Sequence, residues 1–132
     1  MKVIGLNREL PSVALDPIAI KRAVLNLLTN AVEVCGEGDR VTLGARLQRD
    51  DAWLHITVAD DGPGIPEDVK EQLFQPFFST KGNRGTGLGL ALVRKVAEEH
   101  RGRATVDSRP GDGAQFSILL PLDAEQADTA VM

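Results

Sequence analysis

The chain has 132 residues, 42% of them hydrophobic, which is enough for one buried core and too little for two ordinary domains. A formal net charge of −4 excludes a surface dominated by positive charge, so neither nucleic acid nor an anionic membrane is expected as a partner. The lone cysteine cannot form an intrachain disulfide and no apolar run approaches the ~20 residues that span a bilayer, so a reduced, cytoplasmic setting without a signal peptide is expected.

Residues 1–16 open on a short apolar piece. Leu10 to Leu15 then reads as a strand entering a helix cap, because Asp16 and Pro17 suit the N-cap and first helical positions. From Ile18 to Cys35 the apolar residues Ile20, Val24, Leu27, Leu28, Ala31 and Cys35 recur at helical spacing, with Gly36 as a stop. Asn26 and Asn30 lie four apart on one edge of that stripe, with Glu33 beside them. Asparagine is a poor helix former, so the pair invites an explanation other than propensity. Two readings stay open: Asn30 offers a carbonyl oxygen to a phosphate-bound Mg²⁺, or both amides are simply solvated.

Glu37 to Asp39 make a turn, after which Val41, Leu43, Ala45 and Leu47 alternate with polar residues as a half-buried strand. Arg49-Asp50-Asp51 turns the chain into a second strand, and the two are expected to pair as an antiparallel hairpin. In Trp53 to Asp60 the side chains alternate faces, so Asp60 shares the inward face with Leu54, Ile56 and Val58. A buried carboxylate needs hydrogen-bond donors. An adenine amino group is one such donor, and Gly62 and Gly64 would let the backbone approach a flat ring. The competing reading is an ordinary Asp-Gly-Pro-Gly turn.

Pro66-Glu67-Asp68 opens a short helix through about Leu73, and in the run that follows Phe77 and Phe78 are expected as hydrophobic anchors. Gly82, Gly85, Gly87 and Gly89 then crowd the approach to a helix carrying Leu88, Leu92, Val96 and His100 on related faces. Free backbone N–H groups at a helix start form an anion site, so with Lys81 and Arg84 alongside, a phosphate-binding lid is favoured over a bare surface loop. Neither a Walker A loop nor a dinucleotide fingerprint is present. Gly102 ends the helix. Ala104, Val106 and Ser108 alternate in a strand, Arg109 to Gly113 turn, and Ala114, Phe116, Ile118 and Leu120 alternate in a last strand before Pro121. Residues 1–122 are expected to form one domain and 123–132 a disordered tail. This mix of elements predicts an α+β fold, a two-layer α/β sandwich with helices on one face.

Taken in order, five motifs resemble those of the catalytic ATP-binding domain of bacterial sensor histidine kinases, in the GHKL superfamily. Asn26-Leu27-Leu28-Thr29-Asn30-Ala31 is similar to the N box and Asp60-Asp61-Gly62-Pro63-Gly64 to the G1 box. Phe74-Gln75-Pro76-Phe77-Phe78 is similar to the F box, Gly85-Thr86-Gly87-Leu88-Gly89-Leu90 to the G2 box, and Gly111-Asp112-Gly113 to the G3 turn. The resemblance spans about residues 10–121, and the Phe-Phe-Ser-Thr-Lys wording looks like the nitrogen-regulation type.

The resemblance implies a Bergerat ATP-binding fold, with a mixed, mainly antiparallel sheet and about three helices on one face, and it implies ATP and Mg²⁺ as ligands. Carried over by position, Asp60 would bind the adenine amino group, Asn30 the metal, and Asn26 would lie near the phosphates. Gly62, Gly64, Ile65, Gly85, Thr86, Gly87, Leu88 and Gly89 would shape pocket and lid. Lys81 and Arg84 would contact phosphate, Thr80 would belong to the same nucleotide site, and Asn26, Lys81 and Arg84 are the catalytic candidates. Two positions depart from the family pattern: Ala114 stands where a threonine often follows the G3 turn, and Asp61 replaces a frequent asparagine.

Neither His55 nor His100 resembles the phosphoacceptor of these kinases, so both are expected to be structural. The implied function is therefore that of a catalytic fragment, monomeric by itself. It would donate the γ-phosphate of ATP to a histidine on a separate dimerisation domain, with a response-regulator receiver as the further partner. The alternatives are a serine-directed anti-sigma-factor kinase of the same superfamily and a non-catalytic nucleotide-binding regulatory module.

Overall fold

In the computed structural model, residues 2–3, 16–48, 53–76 and 89–121 are described. They form β1 (Lys2–Val3), α1 (Pro17–Val34), β2 (Val41–Gln48), β3 (Trp53–Asp60), α2 (Glu67–Lys70), α3 (Gly89–Glu99), β4 (Arg103–Ser108) and β5 (Ala114–Pro121). Several expectations fall outside these residues: the strand at Leu10–Leu15, the turn at Arg49–Asp51, the Phe77 and Phe78 anchors, and the tail at 123–132. So do the lid residues Thr80, Lys81, Arg84, Gly85, Thr86, Gly87 and Leu88.

α1 begins where the cap chemistry predicts. Asp16 Oδ1 accepts the N–H groups of Ile18 and Ala19, each at 3.1 Å, and Pro17 supplies a first residue that needs no acceptor. The helix buries Ala23, Leu27 and Ala31 at four-residue spacing, flanked by the partly buried Ile20, Val24 and Leu28. Ile18, Leu25 and Val32 are apolar too, yet they face solvent. The helix stops at Val34, one residue short of the sequence expectation, because Cys35 takes an extended conformation.

The sheet order is β1-β2-β3-β5-β4, with β1 parallel to β2 and every other pair antiparallel. The expected hairpin is present, running from Val41 opposite Asp60 to Gln48 opposite Trp53. Strict alternation buries Leu54, Ile56, Val58 and Asp60 on one face of β3, where Ala114, Phe116, Ile118 and Leu120 of β5 join them. α1 and α3 cover this face, completing the two-layer α+β sandwich. The helix at 66–73 is shorter than expected. α2 spans four residues and gives way to tight three-residue turns, which still bury Leu73 and set Phe74 edge-on to Phe116 at 6.1 Å.

α3 ends differently from the simple glycine stop. Arg101, at φ 63°, takes the left-handed position, its N–H bonding Glu98 O at 2.9 Å, while the Gly102 N–H reaches back to Ala97 O at 2.8 Å. Gly102 is required one residue later, because a Cβ there would stand 1.9 Å from the Leu119 carbonyl oxygen. His100 is engaged at both ring nitrogens. Its Nε2 accepts the Asp16 N–H at 3.0 Å, which leaves Nδ1 to carry the proton and donate to Val96 O at 2.8 Å. Among the described residues, no helix is long and apolar enough to cross a membrane.

Candidate functional site

Asp60 ends β3 on the helix-facing side of the sheet and is 7% exposed. Burial pushes its carboxyl above the usual 3.8, and the backbone N–H groups of Gly62 and Ala114 pull it back only in part. Oδ1 accepts the Gly62 N–H at 2.8 Å. The carboxylate is thus inward, aimed as the alternation predicted, and satisfied by backbone N–H groups, with no cation beside it among the described residues. Asp39 and Asp61 raise it further, so its surroundings favour partners that donate hydrogen bonds.

The loop after Asp60 is held on two sides. On one, Gly62 lies against the end of α1, where an added Cβ would meet Asp60 Oδ1 at 2.8 Å and the Val34 carbonyl at 3.5 Å. On the other, the Gly111 N–H donates to Pro63 O at 2.6 Å and the Ile65 N–H to Ser108 Oγ at 2.9 Å. Gly64 (φ 79°) allows this approach, since a Cβ would fall 2.0 Å from Arg109 O. Gly62, Gly64 and Ile65 are therefore brought together with the β4–β5 turn as one wall beside Asp60. Ala114 closes the row, opposite Asp60 on one side and Ser108 on the other, with a methyl where a hydroxyl was in question.

A second edge is formed by the helices. Asn26 Nδ2 donates to Gly89 O at 3.2 Å, tying the middle of α1 to the start of α3, and among the described residues its Oδ1 has no donor. Asn30, one turn on, is half-buried, and among the described residues its amide has no hydrogen-bond partner. The structure thus brings Asn26 and Gly89 together on the helix side, with Asn30 one turn further along α1 toward the end that meets Gly62.

Ser108 and Lys70 belong to this region although their roles were not read from the sequence. The Ser108 hydroxyl bridges Ile65 N–H and Gly113 O, and Lys70 Nζ donates to Ser108 O at 2.9 Å while pairing with Glu67 at 2.7 Å. A signal did exist for Ser108, a polar residue at an inward position after Ala104 and Val106. Cys35 is near enough to matter electrostatically: burial pushes its thiol up from 9.0, and the charges of Asp60 and Asp39 add to this, so it stays protonated at neutral pH.

A hollow of about 530 Å³ also touches Asp60, but its side chains include Asp61, Asp107 and Asp112 with only Arg109 against them. Four carboxylates, Asp60 included, make it a poor seat for a polyphosphate. Among the described residues no cluster of His, Cys, Asp and Glu could by itself hold a metal ion.

Comparison with known proteins bears on this arrangement. Residues 15–124 match the HATPase_c family, described as histidine kinase-, DNA gyrase B-, and HSP90-like ATPase. The chain is 41% identical over 122 residues to the sensor histidine kinase ZraS of Salmonella typhi, covering 92% of this chain and 26% of that one. Full-length ShkA in complex with AMPPNP superposes with a TM-score of 0.78 at 32% identity, over 91% of this chain and 24% of that one. Histidine kinase ThkA in complex with the response regulator TrrA gives 0.75 at 30% identity, over 94% and 34%. The buried acid, its glycine loop and the asparagine-bearing helix thus lie on a scaffold with known relatives, and the chain belongs to the histidine kinase-, DNA gyrase B- and HSP90-like ATPase family.

Proposed function

We propose that this domain binds Mg²⁺-ATP and donates the γ-phosphate to a histidine on a separate dimerisation domain, as the catalytic part of a sensor histidine kinase. The observation that carries the reading is the inward carboxylate of Asp60, held by backbone N–H groups beside a glycine-shaped loop. It would accept the adenine amino group, a donor that carries no charge into a half-dry site. Gly62, Gly64 and Ile65 would form the wall along the base. Asn26 and Gly89 would lie toward the phosphates, with Thr80, Lys81, Arg84, Gly85, Thr86, Gly87 and Leu88 of the lid as further contacts.

Asn30 fits a Mg²⁺ role, since an amide oxygen is a hard neutral donor and its own has no described protein partner. Bound there through ATP, the ion would neutralise charge on the phosphate oxygens. In the transfer, the acceptor histidine nitrogen forms a bond to the γ-phosphorus as the bond to the β–γ bridging oxygen breaks, and ADP leaves. The chain's own contribution is positioning and charge neutralisation, with Asn26, Lys81 and Arg84 nearest the moving phosphoryl group. The relatives named above support the kinase reading, and the ThkA–TrrA complex supports a response-regulator receiver as the next partner. Dependence on ATP fits a cytoplasmic setting.

Calorimetric titration with ATP, with and without Mg²⁺, tests the binding step. Asp60→Asn should weaken ATP by about 100-fold or more, the loss of a buried hydrogen-bonded charge being worth ~3 kcal/mol, while the fold persists. Asn30→Ala should weaken binding in Mg²⁺ more than in its absence. If Asp60→Asn binds like the parent, the adenine assignment is wrong. Labelled ATP with a supplied histidine-bearing dimerisation domain tests transfer: an acid-labile phosphoamino acid is expected, an acid-stable phosphoserine would favour the anti-sigma-factor alternative, and binding without transfer a regulatory module.

A further inference from the structure

Asp60, Ala114 and Ser108 lie in one row across β3, β5 and β4, all on the helix-facing side. Neighbouring strands are ~4.8 Å apart, so Ser108 stands ~10 Å from Asp60, out of reach of the same ligand atom. It is nevertheless 6% exposed and fully engaged. Its hydroxyl accepts the Ile65 N–H at 2.9 Å and donates to Gly113 O at 2.5 Å, and its carbonyl takes Lys70 Nζ at 2.9 Å. Three segments that share no regular secondary structure, the Asp60 loop, the β4–β5 turn and α2, therefore converge on one residue. A serine suits that point because a hydroxyl both accepts and donates from a single atom.

We propose that Ser108 is a positioning residue for the base: it sets the distance of the Gly62–Ile65 wall from the Asp60 carboxylate, and so fixes how a purine ring is gripped. The proposal rests on the nucleotide reading above. Without the hydroxyl, the Ile65 N–H and the Gly113 carbonyl are both left buried or half-buried without their partner, and the Gly111–Pro63 bond is left to tie the wall to the β4–β5 turn. The base should then lose affinity while groups that bind polyphosphate do not, because these belong to the helix side.

The test compares the parent with Ser108→Ala and Ser108→Thr, using two probes: adenosine, which has only the base and sugar, and Mg²⁺-tripolyphosphate, which has only the phosphates. Each displaces a fluorescent ATP analogue, and amide exchange at Ile65 is followed without ligand. Ser108→Ala should raise the Kd of adenosine about tenfold, leave that of tripolyphosphate within about twofold, and speed Ile65 exchange at least about tenfold, with Ser108→Thr restoring the first and third. A merely structural role would weaken both probes together, and that result overturns the proposal. So does a parent-like adenosine Kd in Ser108→Ala. A parent that binds no adenosine overturns the nucleotide reading and this one with it, whereas a parent that binds and a variant that matches it overturn this one alone.

Discussion

Because burial outweighs its two backbone donors, Asp60 is held more comfortably protonated in the fold than in the open chain. A raised folded-state value means the native protein binds more protons than the unfolded one as pH climbs above the usual 3.8, so stability falls as pH rises through that window. Asp60→Asn lacks this titration. The melting temperature of the parent minus that of Asp60→Asn should therefore shrink from about pH 4 to pH 7, and a difference independent of pH would refute the buried-acid account. Backbone geometry gives a second residue-scale case. Arg101 occupies a left-handed conformation that costs most side chains ~1–2 kcal/mol, so Arg101→Gly should raise the melting temperature by a few degrees despite glycine's entropy. Gly113→Ala should do the reverse by more than ~2 kcal/mol, since φ is 74° and the new Cβ would fall 2.0 Å from the Asp60 carbonyl oxygen. Both are read by thermal melts.

At the level of elements, what was legible in the sequence and what was not separates by range. α1 could be read because its signals are local: Asp16 and Pro17 at one end, a 3.6-residue stripe, and Gly36 past the other. β2 through β5 could be read because alternation fixes which face each residue takes, and the inward position of Asp60 followed from the same rule. Ile18, Leu25 and Val32 show its limit, since an apolar residue on a helix does not announce what covers it. The convergence on Ser108 was not legible as a whole, because it needs a turn after β4 to meet a loop after β3 across an intervening strand. The end of α3 was legible at Gly102, whose N–H closes the helix, but not in its detail: Gly102 also marks a close approach to β5, while the left-handed residue is an arginine with no compositional cue. The caps themselves are testable. Asp16→Ala removes two helix-end acceptor contacts and should cost ~1 kcal/mol, and His100→Ala should cost a similar amount although its ring lies far from Asp16 in the chain. Chemical denaturation with an unchanged slope would support both; a changed slope would mean that compactness, not capping, had altered.

For the whole molecule, the core is one unit shared by both layers, with Leu27 and Val93 from the helices meeting Phe116, Ile118 and Leu120 from the sheet. Phe116→Ala should therefore cost ~3–5 kcal/mol and destabilise every element together. Trp53, the only tryptophan, sits on the opposite sheet face beneath the Arg103 guanidinium at 5.8 Å, so its fluorescence reports the sheet while circular dichroism reports the helices. Coincident unfolding by the two probes is expected, and separate transitions would show that the layers come apart independently.

The two long helices run in opposite directions and are fastened twice, by Asn26 to Gly89 and by the Asp16 backbone to His100. At 1.5 Å per residue these fastenings lie ~15 Å apart along α1, and two points fix a line where one would leave a pivot. The consequence is preorganisation: Asn26 and the start of α3 keep their spacing before any ligand arrives beside them. A ligand that docks against that pair forfeits little affinity to ordering it, and most of whatever entropy is lost falls on the ligand itself.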